Sequence, residues 1–209
     1  MNRMRPVVSL STLLLIGIGL CPLLVASAMA QERVRAKIGL QLRAGERLVA
    51  AKSTERVKTG DAVRVYVLPE DDAYVYVLHN DGSTITLLNA RDAATKVAKG
   101  TQVTLPSAEK FYEIDGASPH EALTVLCSPT ALREVLTVGS GAKVSPEQWL
   151  AVERKLMDAS KIDLSQQADK PFQIAGNVRS LGADPFAQAL PISSGKAFVV
   201  KKYDLHVQK

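Results

Sequence analysis

The sequence is poor in the residues that most often carry chemistry. Among its 209 residues are 2 cysteines and 3 histidines, and aromatic residues make up 5%. His79, His120 and His206 form no H-x-x-x-H or C-x-x-C arrangement, so no local motif indicates a metal site. We therefore expect ordinary surface histidines, and neither a metal ion nor a cofactor.

Cysteine is too scarce for a disulfide framework. Cys21 belongs to an apolar N-terminal run, so removal of that run leaves Cys127 alone. Cys127 follows the strand-like residues 123–126, which favours a buried structural thiol over a reactive thiol or an intermolecular bridge. Without a disulfide, packing of the core has to supply the stability.

Familiar catalytic motifs are missing as well. The sequence contains no G-x-S-x-G and no G-x-x-x-x-G-K, which excludes the usual nucleophile elbow and phosphate-binding loop. Cys127 and His120 are one nucleophile and base to consider, but no orienting group or family signature accompanies them. The acidic triplet Glu70-Asp71-Asp72 is typical of a turn, because a calcium site needs several oxygens in a fixed loop. The sequence thus predicts no catalytic, cofactor-binding or metal-binding residue.

Charge excludes a further class of protein. The formal net charge is +5, and Arg3 and Arg5 of the N-terminal segment contribute two of these charges. No dense basic run is present, so we expect no nucleic-acid partner. Hydrophobic residues make up 46% and charged residues 22%, which is typical of a folded globular chain.

Residues 1–30 have the three parts of a secretory signal peptide. Two arginines precede an apolar run over residues 7–25, and Ala28-Met29-Ala30 offers small residues at a cleavage site. An uncleaved membrane anchor is the competing interpretation, because the run approaches the ~18 residues that span a bilayer. Pro22 and the Ala-Met-Ala site favour cleavage.

A lipoprotein is not expected, because Leu20 rather than a small residue precedes Cys21. The sequence therefore predicts an exported protein, periplasmic or secreted. It would meet the membrane only through its signal segment before cleavage.

The clearest structural signal lies in residues 61–89, where apolar and polar residues alternate in three short runs. Asp81-Gly82 separates the second run from the third and predicts a type I′ hairpin, since both central residues of that turn need positive φ. We interpret Asn80 and Ser83 as part of the same turn and not as a binding site.

The predicted hairpin has a defined register. Leu78 faces Ile85 and Tyr76 faces Leu87, and each such pair contributes ~0.2–1 kcal/mol. We expect this more apolar face to be turned to the core. Tyr74 and Tyr76 then pack in the interior and do not line a ligand surface.

Short strands separated by turn residues indicate an antiparallel β-sandwich or an open barrel. Besides the three strands within residues 61–89, we expect strands at residues 34–42, 48–52, 102–105, 111–114 and 123–126. The fold class is therefore mainly β, an antiparallel β-sandwich-like domain with one or two peripheral helices.

The two helices are predicted at residues 129–136 and 146–161. The second begins with a capping box in which Ser145 caps, Pro146 takes the first position and Gln148 reaches back. The final run, residues 196–208, is apolar enough to pair into the sheet as a strand. Residues 163–195 are polar, rich in Gly and Pro, and receive no predicted element.

The order of several features resembles a known family. Five features follow each other along the chain. They are a Gly-Asp pair before a strand (Gly60-Asp61), a tyrosine-containing strand (residues 73–78), an Asp-Gly turn (Asp81-Gly82), a single glycine (Gly100) and a strand ending in proline (residues 103–106). This order resembles the bacterial DUF4384 family over roughly residues 47–136. The family name marks an unknown function, so the resemblance implies an accessory or ligand-binding β-domain without catalytic residues.

We accordingly divide the chain into four parts. Residues 1–30 are the signal peptide and residues 31–138 the DUF4384-like β domain. Residues 139–165 form a loop and helix, and residues 166–209 form a C-terminal extension whose last strand pairs into the sheet.

The sequence favours an exported cell-envelope module with a non-catalytic binding or scaffolding function, whose partner is an envelope protein, a glycan or a small molecule. The alternative is an envelope hydrolase of unrecognised type. The first hypothesis requires an exposed apolar patch or an open strand edge. The second requires side chains such as His120 and Cys127 to converge in one pocket.

Overall fold

Two β-sheets face each other across an apolar core in this computed structural model, which describes residues 33–140, 144–162 and 184–208. The predicted signal peptide and residues 163–183 lie outside the described residues. In chain order the elements are β1 (Val34–Ala44), β2 (Arg47–Ala50), β3 (Thr54–Lys58), β4 (Ala62–Pro69), β5 (Tyr74–Asn80), β6 (Ile85–Leu87), β7 (Val103–Leu105), β8 (Tyr112–Glu113), β9 (His120–Ser128), α1 (Arg133–Gly139), α2 (Pro146–Ser160), α3 (Pro185–Ala189), β10 (Ile192–Gly195) and β11 (Val199–Gln208). The prediction of a mainly β, sandwich-like fold is confirmed.

The first sheet, called sheet A, has the strand order β10-β1-β4-β7, with β2 beside β1 and β8 beside β4. The second, sheet B, has the order β3-β11-β9-β5-β6. The pairing of β3 with β11 is parallel, and the other strand pairs are antiparallel. The C-terminal run therefore lies inside sheet B, between β3 and β9.

Alternating apolar residues of both sheets fill the space between them. Val65 on sheet A and Val77 and Val125 on sheet B are among the side chains excluded from solvent there. Full burial of such a side chain contributes roughly 1.5–3 kcal/mol.

A second core lies on the outer face of sheet B, beneath α1 and α2. Tyr76, Leu78 and Leu126 pack there against Val135 and Trp149. The prediction that Tyr76 and Leu78 face a core is confirmed, but that core lies beneath the helices and not between the sheets, where their neighbours on the opposite face of β5 pack. Helices cover the outer face of β5 while sheet A covers the inner one, so β5 is apolar on both faces.

The register of the β5–β6 hairpin also differs from the prediction. Leu78 pairs with Leu87, not with Ile85, and Asp81 N–H donates to the Thr84 carbonyl at 3.3 Å. The turn thus centres on residues 82–83. Only Gly82 has a positive φ, of 85°, which matches a type II′ turn with glycine in its first central position. Moving the turn by one residue shifts the register by two, and each side chain keeps its face.

Helix α1 was predicted at residues 129–136, but it begins later, at Arg133. Ser128 does not cap it, because the Ser128 hydroxyl donates to the Thr130 carbonyl at 2.7 Å. The N-cap is Leu132, which offers no side-chain acceptor. Tyr76, from the neighbouring sheet, accepts the Leu132 N–H at 2.8 Å. A tertiary contact fixes this helix start, and the local sequence does not encode it.

Helix α2 follows the prediction closely. Ser145 N–H donates to the Gln148 side-chain oxygen at 3.0 Å, and Gln148 N–H donates to the Ser145 hydroxyl at 3.2 Å. This reciprocal capping satisfies two backbone donors at the helix start. Trp149 and Leu156 then turn inward.

Three elements were not predicted: β3, α3 and β10. Strand β10 pairs with β1, and the Asp184 carboxylate accepts the Phe186 N–H at 2.8 Å to start α3. Among the described residues, no helix combines the length and apolar character needed to cross a membrane.

Candidate functional site

The structure places two of the histidines side chain to side chain. His120 of β9 lies directly opposite His206 of β11. Their Nδ1 atoms are 2.9 Å apart, and their rings meet edge to face with centroids 4.9 Å apart. Both side chains are exposed. The sequence predicted ordinary surface histidines and did not foresee this pair.

The strand ladder explains why the two rings come so close. Val207 N–H donates to the Pro119 carbonyl at 2.9 Å, so those two residues form a hydrogen-bonded pair. The next pair, His120 and His206, is then non-hydrogen-bonded, and such pairs bring their side chains closest together. The Ser118 hydroxyl donates to the His120 carbonyl at 2.7 Å and fixes the start of the strand.

The histidine pair borders a pocket of about 360 Å³ on the outer face of sheet B. Ala122 lies between Asp204 and Asn80 in the strand register, and its small side chain leaves space there. A carboxylate, an amide and an ammonium line this opening, from Asp204, Asn80 and Lys202. The pocket therefore offers hydrogen-bond donors and acceptors to a small polar ligand or an ion.

Lys202 is held in place from two sides. Its Nζ lies 3.2 Å from a Glu153 carboxylate oxygen and 3.4 Å from an Asp204 oxygen. Burial opposes the charge on Lys202, but the two carboxylates outweigh it and raise the pKa of the lysine. Lys202 is thus a charged, anchored group at the pocket.

The third histidine lies apart from the pair. His79 pairs with Leu123 in the register, out of phase with Asn80 and Ala122, so it lies on the other face of sheet B. Its Nε2 is 3.2 Å from a Glu121 carboxylate oxygen. In the described ranges, no group of three or more His, Cys, Asp or Glu side chains is arranged to hold a metal ion.

Cys127 and His120 do not converge. They lie on the same strand, seven residues apart in sequence, which places their Cα atoms roughly 23 Å apart. Cys127 is buried, and burial, with a smaller contribution from Asp71, raises the pKa of its thiol to about 12. The prediction of a buried cysteine is confirmed, and a thiol with this pKa is a poor nucleophile.

The other candidates serve the fold. Glu70 pairs with Arg35 at 2.9 Å, and Asp71 pairs with Lys99 at 3.3 Å. Asp72 accepts the Lys99 N–H at 2.9 Å. The acidic triplet therefore anchors its turn, as the sequence indicated.

Sequence reasoning missed a stacked group on the outer face of sheet A. Two guanidinium groups lie over the Phe111 ring, with the Cζ of Arg43 4.5 Å and that of Arg64 4.2 Å from the ring centroid. Arg64 also donates to the Gln41 side-chain oxygen at 2.8 Å and to the Ala108 carbonyl. The arginine in the β4 pattern signalled an outward face, but not the loop that covers it.

One edge of sheet A is open. Strands β2 and β10 flank β1 on that edge, and within the described ranges each pairs with β1 alone. Three apolar side chains are exposed there, Leu48 at 53%, Val49 at 44% and Ile192 at 44%. We call this surface the β2/β10 edge.

Some backbone N–H and C=O groups of β2 point toward solvent and pair with no strand in the described residues. Ala51 N–H donates to the Leu40 carbonyl at 2.8 Å, which sets the phase of the β1–β2 ladder. Because pairing alternates along an antiparallel ladder, the N–H and C=O groups of Leu48 and Ala50 face away from β1. Such groups can receive another strand.

The fold defines a two-sheet β-sandwich-like domain with an open edge and a polar outer pocket. No family model matches the chain, and no curated protein or solved structure resembles it significantly. The DUF4384 resemblance stays a prediction that rests on the residues quoted for it.

Proposed function

We propose that this chain is an exported cell-envelope module that binds or scaffolds a partner protein without catalysis. The partner contributes an extended segment that pairs with the β2/β10 edge. The observation that carries the proposal is the outward-facing backbone of Leu48 and Ala50 beside exposed apolar side chains. Strand addition of this kind derives its affinity from main-chain hydrogen bonds.

The chemistry of the edge limits what the partner can be. Leu48 and Ile192 offer apolar contacts at the two ends of the edge, and Arg47 adds an exposed positive charge. An extended segment with apolar residues and an acidic flank complements this surface.

The two residues on which the hydrolase alternative depended do not come together. Cys127 is buried at the far end of β9 from His120, so no nucleophile and base meet there. The proposal therefore assigns no catalytic role. Export rests on the signal-like residues 1–30, and sequencing the N-terminus of the protein isolated from cells tests it.

The experiment is a cross-linking capture from an envelope extract, with a photoreactive residue at position 48. Ala50→Pro removes an outward N–H while leaving the ladder to β1 intact, because proline is tolerated at an edge position whose N–H faces solvent. We expect the captured protein to disappear in Ala50→Pro and in Ile192→Lys, when each variant carries the same photoreactive residue. Met157→Lys is the matched control, since Met157 is an exposed apolar residue on α2.

Circular dichroism and the melting temperature must show that the variants stay folded. Equal capture by the wild type and Ala50→Pro would overturn strand addition at this edge. Loss of capture in Met157→Lys as well would show that general surface hydrophobicity, and not the edge, binds the partner.

A further inference from the structure

We propose that His120 and His206 bind a divalent transition-metal ion through their Nδ1 atoms, with copper(II) the preferred ion. This site lies on sheet B and goes beyond the proposed binding function of the β2/β10 edge. Imidazole nitrogen suits copper, zinc and nickel, and copper(II) heads the general order of affinity among the divalent first-row ions.

The spacing of the two nitrogens fits a metal. Two ligands about 2.0–2.1 Å from one ion at a right angle are roughly 2.9 Å apart. The Nδ1 atoms of His120 and His206 are 2.9 Å apart. A right angle between neighbouring ligands is the square-planar arrangement that copper(II) and nickel(II) prefer, whereas tetrahedral zinc needs a slightly wider separation.

The backbone holds the two rings ready for this geometry. His120 and His206 form the last, non-hydrogen-bonded pair of the β9–β11 ladder, and the Val207 N–H bond to the Pro119 carbonyl closes the ladder beyond them, so their Cβ atoms are fixed relative to each other. Ser118 restrains the His120 backbone from the adjoining loop. Little ordering is needed on binding, and the exposed rings let an ion enter directly from solvent.

A direct hydrogen bond between the two rings is the competing arrangement. It requires one Nδ1 to carry a proton, whereas metal binding requires each ring to carry its proton on Nε2. Exchange between the two arrangements therefore needs only a change of tautomer at one ring. Acid releases the metal from both histidines, because a coordinated imidazole nitrogen carries no proton.

The two imidazoles are the protein ligands of this site. Asp204 and Asn80 line the same pocket, but in the described ranges no third His, Cys, Asp or Glu side chain is placed to hold the ion with the two rings. The positive charge of Lys202 is paired with Glu153 and Asp204. Water fills the coordination positions that the protein leaves, so an external ligand can still reach the ion.

Titration of copper(II) into the purified protein tests the site, with calorimetry and electron paramagnetic resonance as readouts. We expect one strong site with two nitrogen ligands, and ¹⁵N-labelled histidine should change its hyperfine pattern. Loss of an outer-shell partner alone typically costs about 10–100-fold in metal affinity. Removing either imidazole, in His120→Ala or His206→Ala, should therefore weaken binding at least about tenfold.

His79→Gln is the matched control, because His79 lies on the other face of sheet B. It should bind copper as the wild type does. Equal affinity and equal spectra for the wild type and the His120→Ala/His206→Ala double variant would overturn the proposal, and would assign any copper to another donor such as the N-terminal amine. Ala50→Pro should bind copper normally, so failure of the metal site and failure of strand addition are distinguishable.

Discussion

Glu153 of α2 lies 3.2 Å from Lys202 of β11, and this ion pair ties the long helix to the centre of sheet B. Glu153 is only 4% exposed, and its carboxylate also accepts a hydrogen bond from the Thr124 hydroxyl. A charged pair so well shielded from water is sensitive to the loss of either member. It also connects the packing of α2 with the lysine at the rim of the histidine pocket.

Glu153→Gln should lower the free energy of unfolding by roughly 1–3 kcal/mol, because Lys202 loses its charged partner. Asp158→Asn on the same helix is the control, since Asp158 pairs with Lys161 in an exposed i,i+3 pair. The control should cost less than about 0.5 kcal/mol. Urea denaturation measures both, and a double-mutant cycle with Lys202→Met isolates the coupling. Equal costs for the two variants would contradict a role for the Glu153–Lys202 pair.

The same pair predicts an alkaline limit to this contribution. The pKa of Lys202 is raised in the folded protein, so its ion pair contributes fully at pH values below the pKa of an unfolded lysine. The contribution fades as the pH rises through the raised pKa. The stability difference between the wild type and Lys202→Met should therefore shrink in alkaline solution. A difference that stays constant across that range would exclude the electrostatic explanation.

Two glycines should respond differently to alanine. A Cβ at Gly195 would overlap the Phe198 backbone carbonyl, which cannot move without disturbing the β10–β11 connection. A Cβ at Gly39 would overlap only the end of the Leu190 side chain, beside α3. We expect Gly39→Ala to cost roughly 1–3 kcal/mol and Gly195→Ala to cost more. Thermal unfolding of both variants measures the order, and a reversed order would contradict this steric reading.

The parts of the fold that follow from local pattern were predictable. Strands β1, β4, β5 and β11 carry apolar alternation or continuous apolar runs, and α2 carries a full capping box. Strand β3 was missed because Val57 is its one buried apolar residue, and pairing with β11 defines it instead.

The candidate site was not predictable in the same way. His120 and His206 are 86 residues apart in sequence, and only the register of β9 with β11 brings them together. A one-residue slip of either strand would place them on opposite faces. The open edge was likewise hidden, because exposure of β2 depends on which strands flank β1 and not on the β2 sequence.

Tyr66 should titrate late and stabilise the docking of α3. Its hydroxyl donates to the Asp184 carboxylate at 2.7 Å, and burial together with this hydrogen bond raises the pKa of Tyr66 to about 12. Because the raised pKa favours the neutral phenol in the folded state, its stabilising effect is complete below about pH 10 and is lost toward pH 12.

Tyr66→Phe should lower the free energy of unfolding by about 1 kcal/mol at neutral pH. The difference in phenolate absorbance between the wild type and Tyr66→Phe should appear near pH 12. Tyr74→Phe, which removes a half-buried tyrosine from another strand, is the control. A difference signal for Tyr66 near pH 10, the ordinary value for tyrosine, would contradict the Asp184 contact.

Cys127 should be unreactive while the protein is folded. The thiol is 1% exposed between the two sheets, and its pKa of about 12 leaves almost no thiolate at about pH 8. A thiol reagent should therefore modify it only after unfolding in concentrated urea, and peptide mass analysis assigns the modified residue. The rate of modification then reports how often the sandwich opens, because access requires the sheets to separate. Cys127→Ala should cost roughly 1 kcal/mol through the lost sulfur contacts, without exposing a new reactive group. Fast modification of the folded wild type would place Cys127 at an accessible surface and contradict the packing of β9 described above.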